Sequence, residues 1–154
     1  ASASVQRLRQ RIREQLRRLL NEQLFAVLAT HSSGQPYVNL ISFAPSEDLR
    51  EIFFATPRAT RKFANMMDDD RAAFLIDDRP ARPADLPRAM AATALGRVTM
   101  IPGEECALRR SLYLGRHPDL EAFLDSPACA FLTMRVERYV VVRGLEDVTV
   151  LHLG

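Results

Sequence analysis

The sequence predicts a mainly β, α+β fold: an antiparallel barrel of six to seven strands, with an N-terminal helix and short interposed helices. Three observations predict it. Six or more segments, each roughly five to twelve residues long, are continuously apolar or alternate apolar with polar, the pattern of strands. Turn signals such as "SSGQP" and "SEDLR" join the first three segments by only a few residues, as an antiparallel meander requires. The helical stretches are few and do not alternate with every strand, which excludes a parallel α/β sheet. The 154 residues fit one domain, 1–154, with a helix over 1–22 and a barrel over 24–151.

Composition narrows the function classes. The chain is 47% hydrophobic and 26% charged, ordinary for a soluble globular protein. A formal net charge of +2 argues for neither a nucleic-acid nor a membrane partner. No uninterrupted apolar run reaches the roughly 18 residues of a membrane span. The N-terminus has no apolar segment of the signal-peptide kind. Cys106 and Cys129 make no metal or redox spacing and are expected to be reduced and buried, so the cytoplasm is the default compartment.

In "SVQRLRQRIREQLRRLL", Val5, Leu8, Ile12, Leu16 and Leu19 share one helical face. Arg7, Arg9, Arg11, Arg13, Arg17 and Arg18 cover the others; no aromatics interleave them, so a solvated face is expected and not a nucleic-acid grip. "LFAVLATH" reads as a buried strand. In "YVNLISFAP", Tyr37, Asn39, Ile41 and Phe43 share one face and Val38, Leu40, Ser42 and Ala44 the other. "EIFFAT" is the third strand. Thr56 and Pro57 suit an N-cap and first helical position, opening a helix to about Met67 with Phe63, Met66 and Met67 inward. "RAAFLID" is a fourth strand, "DRPARPADLPRA" a loop and "MAATALGRVTMI" a fifth strand. Two helices follow, separated near Gly115 to Pro118, and "CAFLTMRVERYVVVRGLEDVTVL" is two strands with a tight connection.

The stretch with the most chemistry is "FFATPRATRKF". Thr56, Arg58, Arg61 and Lys62 gather a hydroxyl and cations at a helix N-terminus, where unpaired amides and the positive dipole end already favour an anion. Lys62 is the only lysine in the chain. Two readings stand, a phosphate site and an ordinary capped helix with a wet basic face; cations in a first helical turn oppose the dipole, which favours the first.

The order of these elements resembles the FMN-binding split barrels related to pyridoxamine 5′-phosphate oxidase, over Leu24 to about Val150. The resemblance implies that Thr56, Thr60, Arg61 and Lys62 hold the phosphate of FMN. It implies that the flavin ring lies along Asn39, Leu40, Ile41, Ser42 and Phe43. It also implies a homodimer with the cofactor at the subunit interface and a small-molecule substrate or electron donor. Two departures limit it. Asn39 stands where the pyridoxamine oxidases have a basic residue, and the chain lacks Trp and an "RLHDR"-like end, so vitamin B6 oxidation is not implied. "YLGRHPDLEAFL" and "FLTMRVERYVVVRGLEDV" are similar instead to the haem-utilisation branch, which makes a haem-binding or haem-degrading protein the alternative. If the chain follows its family, Arg135, Arg138 and Arg143 fall close to the cofactor edge, with one reaching it from either subunit.

The remaining candidates read as structural. His31 is a surface turn residue, His117 a helix-start residue, and His152 a terminal-segment residue that could serve as a haem ligand only in an ordered tail. Asp77 and Asp78 end the fourth strand. No His/Cys/carboxylate cluster has metal spacing, and no catalytic acid or base stands out, so the catalytic residues are open and no metal is expected.

Overall fold

The computed structural model describes residues 2–79 and 82–153. Helix α1 (Ala3–Glu22) leads into strands β1 (Phe25–Ser32), β2 (Gln35–Pro45) and β3 (Glu51–Pro57). Helix α2 (Arg61–Asp68), β4 (Arg71–Asp77) and β5 (Met90–Met100) follow. Helices α3 (Cys106–Arg116) and α4 (Glu121–Asp125) precede β6 (Cys129–Arg143) and β7 (Asp147–His152). The strands form one antiparallel sheet in the order β3-β2-β1-β4-β5-β6-β7, and β3 also pairs with β6. Six strands therefore close into a barrel and β7 extends it, as the sequence pattern predicts.

Local chemistry explains the joints. Ser33 and Gly34 both have positive φ, 50° and 78°, so the β1–β2 hairpin turns through the two-residue geometry that matches strand twist. At Gly96 the β5–β6 register shifts, and an added Cβ would lie 2.0 Å from the carbonyl oxygen of Arg135. Only glycine permits that approach, and the shift leaves Glu137 as an extra residue on β6, a bulge that bends that strand.

Two apolar clusters share the sheet. Phe43, Ile52, Phe54, Phe74, Leu132 and Met134 fill the barrel, and Ile12, Leu16, Leu19 and Leu20 of α1 join them. On the outer side, Ala44, Phe53 and Ala55 pack under Tyr113 of α3. Burial raises the Tyr113 phenol to about 12. Arg116 ties α1 to this frame. Its NH1 donates to Leu20 O at 2.9 Å and Asn21 O at 3.1 Å, its NH2 donates to Gln23 O, and its guanidinium stacks 4.9 Å from the Phe43 ring. A cation thus caps the negative end of the helix dipole.

Several expectations need correction. The short helix starts at Arg61, because Pro57 still belongs to β3 and Thr60, not Thr56, is the N-cap. Met67 is 49% exposed; Asn65 takes the inward position beside Met66. Val5 and Leu8 are exposed because α1 meets the barrel only from Ile12 onward. β1 is half-buried, with Leu24 and Phe25 open to solvent and alternate residues inward. The 78–89 loop holds a 3₁₀ turn at Pro83–Arg88, and its residues 80 and 81 lie outside the described set. Cys129 is buried but Cys106 only partly so; both are free.

Replacing Gly96 by alanine is expected to destabilise the protein by about 2–4 kcal/mol, because a backbone carbonyl on the central strand must move. Urea denaturation measures it, and an unchanged midpoint would show that the β5–β6 pair adapts freely.

Candidate functional site

β3 is divided between two partners. It pairs with β2 only from Ile52 to Phe54, but with β6 along its full length, Glu51 to Pro57. Beyond Phe43↔Phe54 the β2–β3 ladder stops. On this side, Asn39 to Ser42 of β2 and Ala55 to Pro57 of β3 therefore have backbone edges with no strand between them. α2 begins directly below this opening.

The chain leaves β3 through Pro57 and reaches α2 at Thr60. Thr60 Oγ1 accepts the Phe63 amide at 3.3 Å and donates to Pro57 O at 2.9 Å. Thr56 is fully buried, and its Oγ1 lies 3.2 Å from Thr60 Oγ1. Arg61 is exposed and Lys62 half-exposed on the first turn, which contains no acidic residue. Among the described residues, Arg58, Arg61 and Lys62 have no ion-pair partner. Arg58 instead lies over the Phe63 ring at 5.9 Å and donates to Pro127 O at 3.3 Å. The structure thus brings Thr56, Thr60, Arg61 and Lys62 together, with Thr56 behind Thr60 as its support.

α2 is fixed from below. Asn65 and Thr30 are each 3% exposed, and Asn65 Nδ2 donates to Thr30 Oγ1 at 3.1 Å. Met66 enters the barrel core and Phe63 packs against it. Sequence inspection missed Asn65 and Thr30; their signal was polarity at positions where the helix and strand periods demand an inward side chain.

The β2 residues divide by face. Ile41 points into the core at 7% exposure, so only its backbone can meet a ligand. Leu40 is 71% exposed on the outer face, and Ser42 is partly buried. Asn39 is partly buried and its Oδ1 is enclosed without a hydrogen-bond partner. A buried acceptor left alone is costly, about 1–3 kcal/mol, so it marks a place where a donor is missing.

The other candidates disperse. His117 starts the 3₁₀ turn Pro118–Leu120, as expected, and also caps the C-terminus of α3; it is 8% exposed and donates from Nε2 to Phe43 O at 2.8 Å. His31, at the end of β1, pairs with Asp69 at 3.1 Å. The Arg71 guanidinium first, with its backbone amide, holds the Asp69 carboxyl far below the usual carboxylate range. His152 is exposed on β7 opposite Arg138. Arg135 stands at the far end of the β3–β6 ladder from Thr56, and Arg143 lies in a cleft with Arg18 and Arg88. Asp78 accepts the Met90 amide at 2.7 Å and Asp77 pairs with Arg79 at 3.0 Å. Among the described residues no three His, Cys, Asp or Glu side chains group as metal ligands, and no helix is long and apolar enough to cross a membrane.

A barrel closed by β3–β6, with a hydroxyl-and-cation helix mouth under a split between β2 and β3, defines the class. The chain belongs to the pyridoxamine 5′-phosphate oxidase family, whose model matches residues 12–143. No curated protein matches it. Among solved structures it is similar to a haem-binding protein from Mycobacterium smegmatis, with 19% identity and a TM-score of 0.80 over 90% of this chain and 57% of that one. The chain thus spans just over half that protein's length. It is also similar to an FAD-binding protein from Mesorhizobium loti, with 16% identity and a TM-score of 0.66 over 83% of this chain and 91% of that one. General Stress Protein 26 from Bacillus anthracis shows 15% identity and a TM-score of 0.69, covering 92% and 98%. At these identities the likeness is one of fold.

Thr30→Val is expected to lower stability by about 1–3 kcal/mol, because it leaves the Asn65 amide buried and unpaired. The double variant Thr30→Val/Asn65→Leu should recover most of that loss. A double-mutant cycle by urea denaturation reads the coupling, and additive losses would show that the pair is not bonded in solution.

Proposed function

We propose that the protein is an FMN-binding flavoprotein that transfers electrons to or from a small molecule. The observation that carries this is the helix mouth: two linked threonine hydroxyls and two cations without carboxylate partners, on a first turn whose dipole already favours an anion. Thr60, Arg61 and Lys62 would hold the phosphate, with Thr56 keeping the Thr60 hydroxyl in place. The backbone edge at Asn39–Ser42 would meet the ring, and the lone Asn39 Oδ1 would accept from a ring N–H. The bound flavin supplies the redox chemistry. The chain's own part is to bind, orient and shield; no side chain at the opening is an evident acid or base, and the substrate is left open.

The assembly we propose is a homodimer with the cofactor at the interface. The register places Leu40, Val27, Leu75, Thr93, Val140 and Val150 in one row across the sheet. Val38, Ala29, Ala73 and Leu95 form the next row. Leu40, Val38 and Val148 are 71%, 62% and 56% exposed, an apolar face larger than isolated surface residues make. Arg138 follows Leu95 in the second row, which ends at His152, and of the three β6 arginines it is the one that would reach a partner's ring. Two free thiols fit a reducing compartment such as the cytoplasm.

Haem is the second reading, favoured by one observation: the exposed His152 imidazole stands beside Arg138 on this apolar face. An absorbance spectrum separates the two, since His152→Ala would remove a Soret band and leave flavin bands intact.

Arg61→Ala with Lys62→Ala tests the phosphate grip. Water screens both side chains, so together they are expected to contribute about 1.5–3 kcal/mol, roughly ten- to a hundredfold in FMN affinity. Riboflavin, lacking the phosphate, should bind the wild type more weakly than FMN and respond little to the variant. Fluorescence titration of both flavins checks this, and equal wild-type affinities would refute the phosphate site. For assembly, light scattering at micromolar concentration should give a dimer, and Leu75→Arg/Val150→Arg a monomer. A monomeric wild type would exclude the interface.

A further inference from the structure

Four charged residues line up across neighbouring strands on the outer wall of the barrel. The register sets Arg71 of β4 opposite Arg97 of β5, Arg97 opposite Arg135 of β6, and Arg135 opposite Glu51 of β3. Like charges directly opposite one another destabilise a sheet, so three adjacent arginines need compensation. Two have it. Asp69 pairs with Arg71 at 2.7 Å, and Asp70 accepts from one terminal nitrogen of Arg97 at 2.7 Å.

Arg135 does not. Its cross-strand neighbour Glu51 is taken by Arg109, whose Nε and NH2 donate at 3.2 Å, and by the Thr133 hydroxyl at 3.1 Å. Among the described residues Arg135 has no carboxylate partner. It borders two clefts of about 350 Å³ each. Arg97 and Arg109 flank the one that faces α3, and Thr99 and Thr133 sit opposite each other two register positions away, on the same face. Glu51, Asp70 and Glu105 also line it, the first two each already holding an arginine.

We infer that this cleft binds a small oxyanion, carboxylate or phosphate, in the fork of Arg135, with the free nitrogens of Arg97 and the Thr99 hydroxyl as further donors. A planar guanidinium without a partner, beside a second one with donors to spare, matches the two-oxygen geometry of such groups. The site stands at the opposite end of the β3–β6 ladder from Thr56 and does not depend on the flavin reading.

The test is an amide NMR titration with inorganic phosphate and, separately, with malonate, each against sodium chloride at matched ionic strength. Saturable shifts at Thr99 and Thr133 are expected with one or both anions, and which one acts names the chemistry. Arg135→Gln should weaken them about tenfold or more while leaving the fold intact, because that side chain is exposed. Arg61→Ala/Lys62→Ala should leave the Thr99 and Thr133 shifts unchanged, which separates this cleft from the helix mouth. Shifts no larger than chloride gives, or shifts that persist in Arg135→Gln, would overturn the inference.

Discussion

The structure depends on β6 serving two strands along one edge. β5 accompanies the other edge from Met100↔Leu132 to Met90↔Arg143. On the first, β3 pairs from Cys129 to Arg135 and β7 from Arg138 to Arg143. The first pairing closes the barrel and draws β3 away from β2. The three-residue β2–β3 ladder and the opening above α2 are consequences of that closure. Every backbone group in a barrel wall needs a ladder partner or another acceptor, so an opening between two edge segments is a natural place for a ligand. Gly96 makes the geometry possible, since any side chain there would strike Arg135.

The helix below the opening is built against its own electrostatics. Arg61 and Lys62 occupy a first turn that lacks any acidic residue, where each cation costs about 0.3–1 kcal/mol against the dipole. Its anchoring offsets this: the Asn65–Thr30 bond and the packing of Met66 fix α2 whether or not an anion is present. A mouth made of threonine hydroxyls, cations and first-turn amides is thus preorganised, and preorganisation lowers the ordering cost of binding.

Much of this was legible in the sequence, for identifiable reasons. Period-two alternation and tight turns located all seven strands, and "TPRATRK" located the mouth, because hydroxyls and cations so near a strand end are unusual in ordinary helix starts. The cap lies four residues later than the sequence suggests because Thr56 and Thr60 both satisfy the local preference; only the β3–β6 pairing, which holds Pro57 in the sheet, decides between them. The inward face of α2 was misjudged at Met67 because hydrophobicity favoured Met over Asn65, whereas a buried partner, Thr30, made the polar residue the inward one. His117 is legible as a helix start before Pro118, but its buried bond is not, because the acceptor, the Phe43 carbonyl, lies on a distant strand. The arginine row on β4, β5 and β6 exists only through register, which no local pattern encodes.

The most direct test of the central claim, that the split between β2 and β3 and the mouth of α2 form one cofactor site, is a map of amide shifts on adding FMN to the apo protein. The account predicts the largest changes in two separate stretches, Asn39–Ser42 and Thr60–Phe63, with the second stretch unresponsive to riboflavin. Changes confined to the apolar outer face around Val140 and His152, or identical responses to the two flavins at Thr60–Phe63, would contradict it.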